Sequence, residues 1–388
     1  MTGAVTPGSG LARALLSVGI ALVVAAVIMH LSGYDALSGL AALWAGATGL
    51  RAGPPQADGQ IAFGAGPFTG HLDVYNLAQS LARSTPLLFT GLSVALGLRA
   101  GLFNIGAQGQ MIAGALAAAV IGGAGGGTLP GPVHLLLVLC AGALAGAAWG
   151  AVPGILRATR GVHEVISTIL FNYLATNLAT YLVTHGLKDP DPRKMAPQTA
   201  AIAPTAHLHP WVAGSNLTAG LLLALVAAMG VACLVRRTSA GFQIRAVGQG
   251  LEAARAAGIS VPGVMVRAMA LAGALAGVAG AIEVMGVHHR YVQGLAGTYG
   301  FDGIAVALLG GLNGMGVTLS ALFFGALSNG AEFMELETNV PRALAVIVQA
   351  IVILCVGVRL ARRSLARQVV AAVQDSDEDL LEEEHAGR

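Results

Sequence analysis

The sequence predicts an all-α polytopic membrane protein with about ten transmembrane segments, one of them a short or re-entrant half-helix. Three observations lead there. Hydrophobic residues make up 55% of the 388 and charged residues only 10%, against about 25% charged in an ordinary soluble domain. Mean hydropathy is +0.73, and several apolar runs approach or exceed the roughly 20 residues needed to span hydrocarbon. Glycine is very frequent, at 55 residues, which suits helices that pack backbone to backbone in lipid.

The expected segments are 11–31, 76–98, 103–122, 133–156, 164–185, 217–235, 264–285, 299–312, 316–333 and 342–360. The first run has only Arg13 as a basic flank and no small-residue cleavage site, so it reads as an uncleaved span rather than a signal peptide. Segment 299–312 is too short to cross. It reads as a half-helix meeting 316–333 at the turn Gly310-Gly311-Leu312-Asn313-Gly314. Irregular backbone at membrane depth must be buried in protein or line a cavity, which makes this turn a candidate pathway wall. Cys140, Cys233 and Cys355 lie in apolar runs and read as buried small hydrophobes.

Orientation follows from the basic residues. With the N-terminus inside, 14 of the 21 Lys and Arg fall on the inner side, so both termini are expected in the cytoplasm. The expected organisation is a cytoplasmic N-terminus (1–10), a transmembrane domain (11–360) and an acidic cytoplasmic tail (361–388) that is solvated and disordered. Two outer loops are long. Gly33–Tyr75 contains an apolar stretch, Asp35–Leu50, that reads as an interfacial or re-entrant helix; Gly186–Ser215 is rich in proline.

The stretch Arg236–Pro262 is a polar island between two apolar runs, on the inner side. Its middle, Gly250–Ala257, has helical character, with Gly248, Gly250 and Gly258 as breakers. It reads as a short helix held by tight turns, exposed to a partner outside the bilayer.

Neutral amides stand near the spans. Asn104 and Gln108 share a helix face, with Gln110 close by. Glu164, Thr168 and Asn172 recur every four residues on one stripe. Amides can hydrogen-bond a neutral polar solute without the cost of a buried charge. Helix–helix glue is the competing reading. Glu164 reads as a carboxylate at a helix N-terminus. Asp302, beside Phe301, reads either as a functional ionisable group or as a cap of the half-helix. Glu283 is expected to snorkel to the outer interface. Gly142, Gly146, Gly150 and Gly154, with Gly273 and Gly277, read as packing faces. Gly101–Gly106 and Gly311–Gly316 form a weak internal echo, each with an asparagine and glycines before a span.

Some chemistry is not supported. The chain has no G-x-x-x-x-G-K-[ST] phosphate loop, no G-x-S-x-G and no H-E-x-x-H. Neither catalytic residues nor a bound cofactor are expected. No metal site is expected from His288, His289, His207 and His209, which lack an acidic or cysteine partner in sequence. The net charge of +2 gives no reason to expect nucleic acid.

Four blocks then carry a resemblance. Gly101-Leu102-Phe103-Asn104-Ile105-Gly106-Ala107-Gln108-Gly109-Gln110 resembles the signature of bacterial ABC importer permeases of the branched-chain amino acid and simple-sugar class, most like the nucleoside-uptake branch. So do Glu164–Thr168 with Asn172-Tyr173, Arg245–Gly248 with Ala253–Ile259, and Gly300–Gly310. The similarity covers roughly residues 75–360. It implies that 236–262 is a coupling loop, with Arg245, Gly248, Glu252, Ala253, Ala254, Arg255 and Gly258 gripped by a separate ATPase subunit that uses ATP and Mg. It further implies a second homologous permease subunit and an extracytoplasmic substrate-binding lipoprotein. It implies a multi-pass location in the bacterial cytoplasmic membrane. Asn104, Gln108, Asn172, Phe301, Asp302 and Asn313 are the expected substrate pathway. Gln108 stands where the family often has Glu, and Gly314 where it often has proline.

The expected function is the permease subunit of an ATP-driven importer for nucleosides, with simple sugars second. A secondary transporter working on an ion gradient through Glu164 and Asp302 is the alternative. A membrane enzyme or receptor is the third reading, and lacks a clustered acid, base or metal set.

Overall fold

The structure, a computed structural model, describes residues 8–52, 60–63, 70–124, 129–191, 196–351 and 354. The acidic tail, Cys355 and the end of the 342–360 segment lie outside these. The chain forms two compact units. One holds α1 (Gly8–Leu31) and the chain from Ala343 on; the other, Ser38–Arg342, holds every expected site residue.

The long loop after α1 opens with the expected helix, α2 (Ala36–Thr48). Three strands follow that the sequence reading did not foresee: β1 (Leu50–Ala52), β2 (Gln60–Phe63) and β3 (Gly70–Asp73). They pair antiparallel in the order β1-β3-β2, with Leu72 opposite both Leu50 and Ile61. Strands of three or four residues carry almost no periodic signal, yet a loop folded on itself must still pair its backbone groups. Gly49, at φ +74, turns the chain from α2 into β1.

The bundle consists of α3 (Val74–Arg99), α4 (Ala107–Ala124), α5 (Gly131–Arg160), α6 (Glu164–Tyr181), α7 (Gly220–Arg237), α8 (Ser239–Gln249), α9 (Leu251–Ala256), α10 (Val261–Glu283), α11 (Tyr299–Leu309) and α12 (Gly314–Thr338). A wider π turn extends α6 to Gly186 and α10 to His288. Among the described residues six helices are long and apolar enough to cross a membrane: α3, α4, α5, α6, α7 and α10. The remaining expected segments differ for stated reasons. α1 is counted apolar over Gly19–Leu31, and α11 has 11 residues, about 16 Å of helix. α12, at 25 residues, covers the expected 316–333 and ends on Glu332, Glu335 and Glu337, but its apolar part is diluted by Gly, Ser and Asn.

Small residues bring the central helices into contact. A Cβ at Gly146 would overlap the Gly273 carbonyl, and one at Gly277 the Gly142 carbonyl. Gly114 of α4 packs on Gly277 in the same way. The two expected glycine faces thus meet each other, α5 against α10. α3 is the most buried span. Its Ser84 and Thr90 hydroxyls donate to carbonyls one turn back, Ser80 O at 2.7 Å and Pro86 O at 3.0 Å, so they cost little inside the bundle. The cysteines do not follow expectation: Cys140 and Cys233 lie on the outer surface of the bundle, where lipid can cover a small hydrophobe as well as a core can.

Candidate solute-binding cavity

A cavity of about 440 Å³ lies between α4, α6 and the segment Tyr291–Phe301. That is the size range of a small-molecule site. Gln108 and Asn172 line it, and so does Phe301. Among the described residues no charged side chain does. Phe301 and Tyr173 are 47% and 67% exposed, so two aromatic faces are available on its walls.

The expected amides are held in place. Gln108 Nε2 donates to Gly297 O at 2.8 Å, and its Oε1 accepts from Gly300 N at 2.9 Å. Asn172 Oδ1 accepts from Gly109 N at 2.8 Å, and its Nδ2 donates to Ile105 O at 2.9 Å. Each amide therefore joins two chain segments as well as facing the cavity. Gly300 is required here, because a Cβ would overlap the Gln108 backbone. The Thr90 hydroxyl proton is shared between Pro86 O and Tyr299 O, the latter at 2.9 Å, fixing the start of α11 on α3.

Other expected pathway residues lie elsewhere. Asn104 is fully buried. It exchanges two 3.0 Å hydrogen bonds with Gln110 and donates to Ser93 Oγ at 3.2 Å. It braces the turn between α3 and α4 and is not in the cavity wall. Asp302 sits in the first turn of α11, its carboxylate accepting from Thr298 Oγ1 at 2.7 Å; Thr298 is the capping residue. Asn313 caps α12, accepting from Gly316 N and donating to Gly310 O, both at 2.9 Å. Its turn lines a separate cleft of about 20 Å³ beside Arg99 and Arg236. The half-helix thus meets the large cavity with its start, at Gly297 and Phe301, rather than with the glycine turn at its end.

Glu164 begins α6 as expected and pairs with Arg157 at 3.3 Å. Glu283 does not snorkel: it is 5% exposed, with His288 Nε2 at 3.9 Å.

At the other end of the bundle the polar island forms two helices, where the sequence reading placed one. Gly248, an expected breaker, lies inside α8. It serves close approach: a Cβ there would overlap the Arg99 carbonyl and crowd Gly101 N. Ile244, Val247 and Ala254 are buried in one cluster with Leu96 of α3 and Leu102 of the α3–α4 connection. Around Ala254, α9 is exposed: Glu252 and Arg255 pair with each other at 2.6 Å, and Ala253 and Gly258 are open. Gly258 has φ +76, a left-handed turn that ends the island. Arg245 is half-buried.

The sequence reading missed Thr176, Thr180, Tyr291 and Gln293, all in the cavity wall. Thr176 and Thr180 continue the Asn172 stripe at four-residue spacing, a signal that was present. Nothing local marks Tyr291 and Gln293, whose place depends on a distant loop.

Six helices long and apolar enough to cross a membrane, with a polar cavity whose described lining carries no charge, are what a transmembrane transport protein requires. The chain belongs to the family described as branched-chain amino acid transport system / permease component, which matches residues 76–357. It is 37% identical over 344 residues to the guanosine ABC transporter permease protein NupP of Bacillus subtilis, covering 88% of this chain and 92% of that one. It is 35% identical over 308 residues to the nucleoside ABC transporter permease protein NupB of Lactococcus lactis, covering 75% and 84%. Similarity extends to sugars: the glucose ABC transporter permease protein TsgB13 of Haloferax volcanii is 38% identical over 291 residues, covering 72% and 75%. No solved structure matches the chain.

Proposed function

We propose that this chain is the pore-forming subunit of an ABC importer that carries nucleosides inward across a bacterial cytoplasmic membrane. A cavity lined by amides, threonines and two aromatic faces, without a charged group among the described residues, is the observation that supports this most directly. A nucleoside offers a flat ring to stack and neutral polar edges to hydrogen-bond. The nucleoside permeases among its relatives point the same way.

In this reading the 236–262 end is cytoplasmic, as are both termini. A separate ATPase subunit, using ATP and Mg, grips α9 through Glu252, Ala253, Arg255 and Gly258. A second homologous permease subunit completes the pore, and an extracytoplasmic binding lipoprotein delivers the solute. ATP-driven movement of α9 passes to α8, and from Gly248 to the turn at Arg99 and Gly101. From there Asn104 and its partners lead to the cavity at Gln108. Each state must contact the ATPase differently for ATP to bias the cycle.

The glucose permease among the relatives gives a second reading, simple-sugar import. An ion-driven mechanism has less support, since Glu164 is ion-paired and neither it nor Asp302 lines the cavity. The test is uptake into proteoliposomes holding the complete complex. ATP-dependent guanosine or uridine uptake that survives Glu164→Gln is expected. Uptake driven by an ion gradient without nucleotide overturns the proposal, and uptake of glucose in place of nucleosides selects the second reading.

A further inference from the structure

Tyr291 is 3% exposed and lines the cavity. Its hydroxyl makes no hydrogen bond among the described residues, and it is not one of the fully enclosed orphan atoms. A buried tyrosine usually finds a partner for its O–H. Here the remaining opening is the cavity itself. Burial pushes the phenol up to about 12, so at neutral pH the group is a hydrogen-bond donor as well as an acceptor.

Two residues on, Gln293 also lines the cavity. Its Nε2 donates to Thr180 Oγ1 at 3.1 Å, and its Oε1 has no partner among the described residues. Gln108 and Asn172, by contrast, have both amide ends committed to backbone groups. Gln293 opens the turn that Leu295 N closes on Val292 O, and both side chains line the one cavity, the Tyr291 hydroxyl offering it a donor and the Gln293 carbonyl an acceptor.

The pair is rigidly presented. Thr199 N donates to Tyr291 O and Tyr291 N to Thr199 Oγ1, both at 3.0 Å. Gln293 N donates to Pro197 O at 3.2 Å, and Gln198 bridges Val292. Arg290 pairs with Asp189 at 3.3 Å. The loop after α6 therefore acts as a splint for this wall, and a pre-set wall loses less freedom when the solute arrives.

We propose that Tyr291 and Gln293 are the specificity-determining residues of the cavity, reading a paired donor–acceptor edge of a neutral solute while Tyr173 and Phe301 cover its flat face. This rests on the transport function proposed above. It concerns the solute's edge chemistry, which an amide-bearing base or a pair of neighbouring hydroxyls can each supply, and the test separates them.

The test uses the complete complex in proteoliposomes, with guanosine, uridine, ribose and glucose as competing solutes. Tyr291→Phe removes one oxygen that has no protein partner, so the thermal midpoint should not move. Its expected effect is an unequal one. Apparent affinity falls about three- to ten-fold, the worth of one neutral hydrogen bond, for solutes that use the hydroxyl, and the ranking of solutes changes. Gln293→Ala should shift the ranking too, and it carries the test should the phenylalanine variant fail to assemble. Unchanged ranking in both variants, or an equal loss for every solute, overturns the proposal. A wild-type complex that takes up only sugars sinks the nucleoside reading, while the same comparison on those sugars still decides the role of Tyr291.

Discussion

Gly248 lies against the carbonyl of Arg99 so closely that a side chain at this position would overlap it. This contact joins the polar helix pair to the turn that begins α4. The first variant to make is Gly248→Val. Overpacking there should cost about 1–3 kcal/mol and weaken ATP-driven uptake more than it weakens solute affinity. A lowered thermal midpoint, together with ATP hydrolysis uncoupled from uptake, is the expected result. Normal coupling in a folded Gly248→Val protein would remove this contact from the transmission route.

Gln108 holds the start of the half-helix with both ends of its amide. Gln108→Leu leaves Gly300 N–H and Gly297 C=O without partners, at a cost of about 1–3 kcal/mol per buried group. Gln108→Glu keeps the bond from Gly300 N and should fall between the two. Thermal unfolding of the three purified proteins orders them. An equal midpoint for Gln108→Leu and wild type would mean that the amide serves the solute alone.

The α5–α10 face leaves no room for side chains at its glycines. Gly277→Leu forces a side chain into the Gly142 carbonyl and should prevent assembly. Gly230→Leu, on α7 where no atom lies within 4 Å of the added Cβ, should be accepted and gain up to about 1 kcal/mol of helix propensity. Yields of folded protein in detergent compare the two directly. Equal yields would show that the helices part easily.

Helices and packing faces were largely legible in the sequence, because apolar length and glycine spacing act locally along one chain. The Glu164–Thr168–Asn172 stripe was legible for the same reason, and all three residues are buried together on α6. The role of each amide was less so. Asn104 and Asn172 stand near spans in the same way, yet Asn104 closes on Gln110 and Ser93 while Asn172 faces the cavity. Only the neighbours supplied by other helices distinguish them. The strands after α2 left no periodic trace, being too short to alternate.

By itself the sequence determined that this is a membrane-embedded helical bundle, where its polar island lies and which glycines pack. Those properties follow from water, lipid and van der Waals radius acting on consecutive residues. Tertiary structure alone decided which polar groups are spent on holding the chain and which are left for a solute. Tyr291 and Gln293 reach the cavity wall because a loop about ninety residues earlier pairs with their backbone. Hydrogen bonds saturate, so the free ones can be identified only after every other partner has been placed.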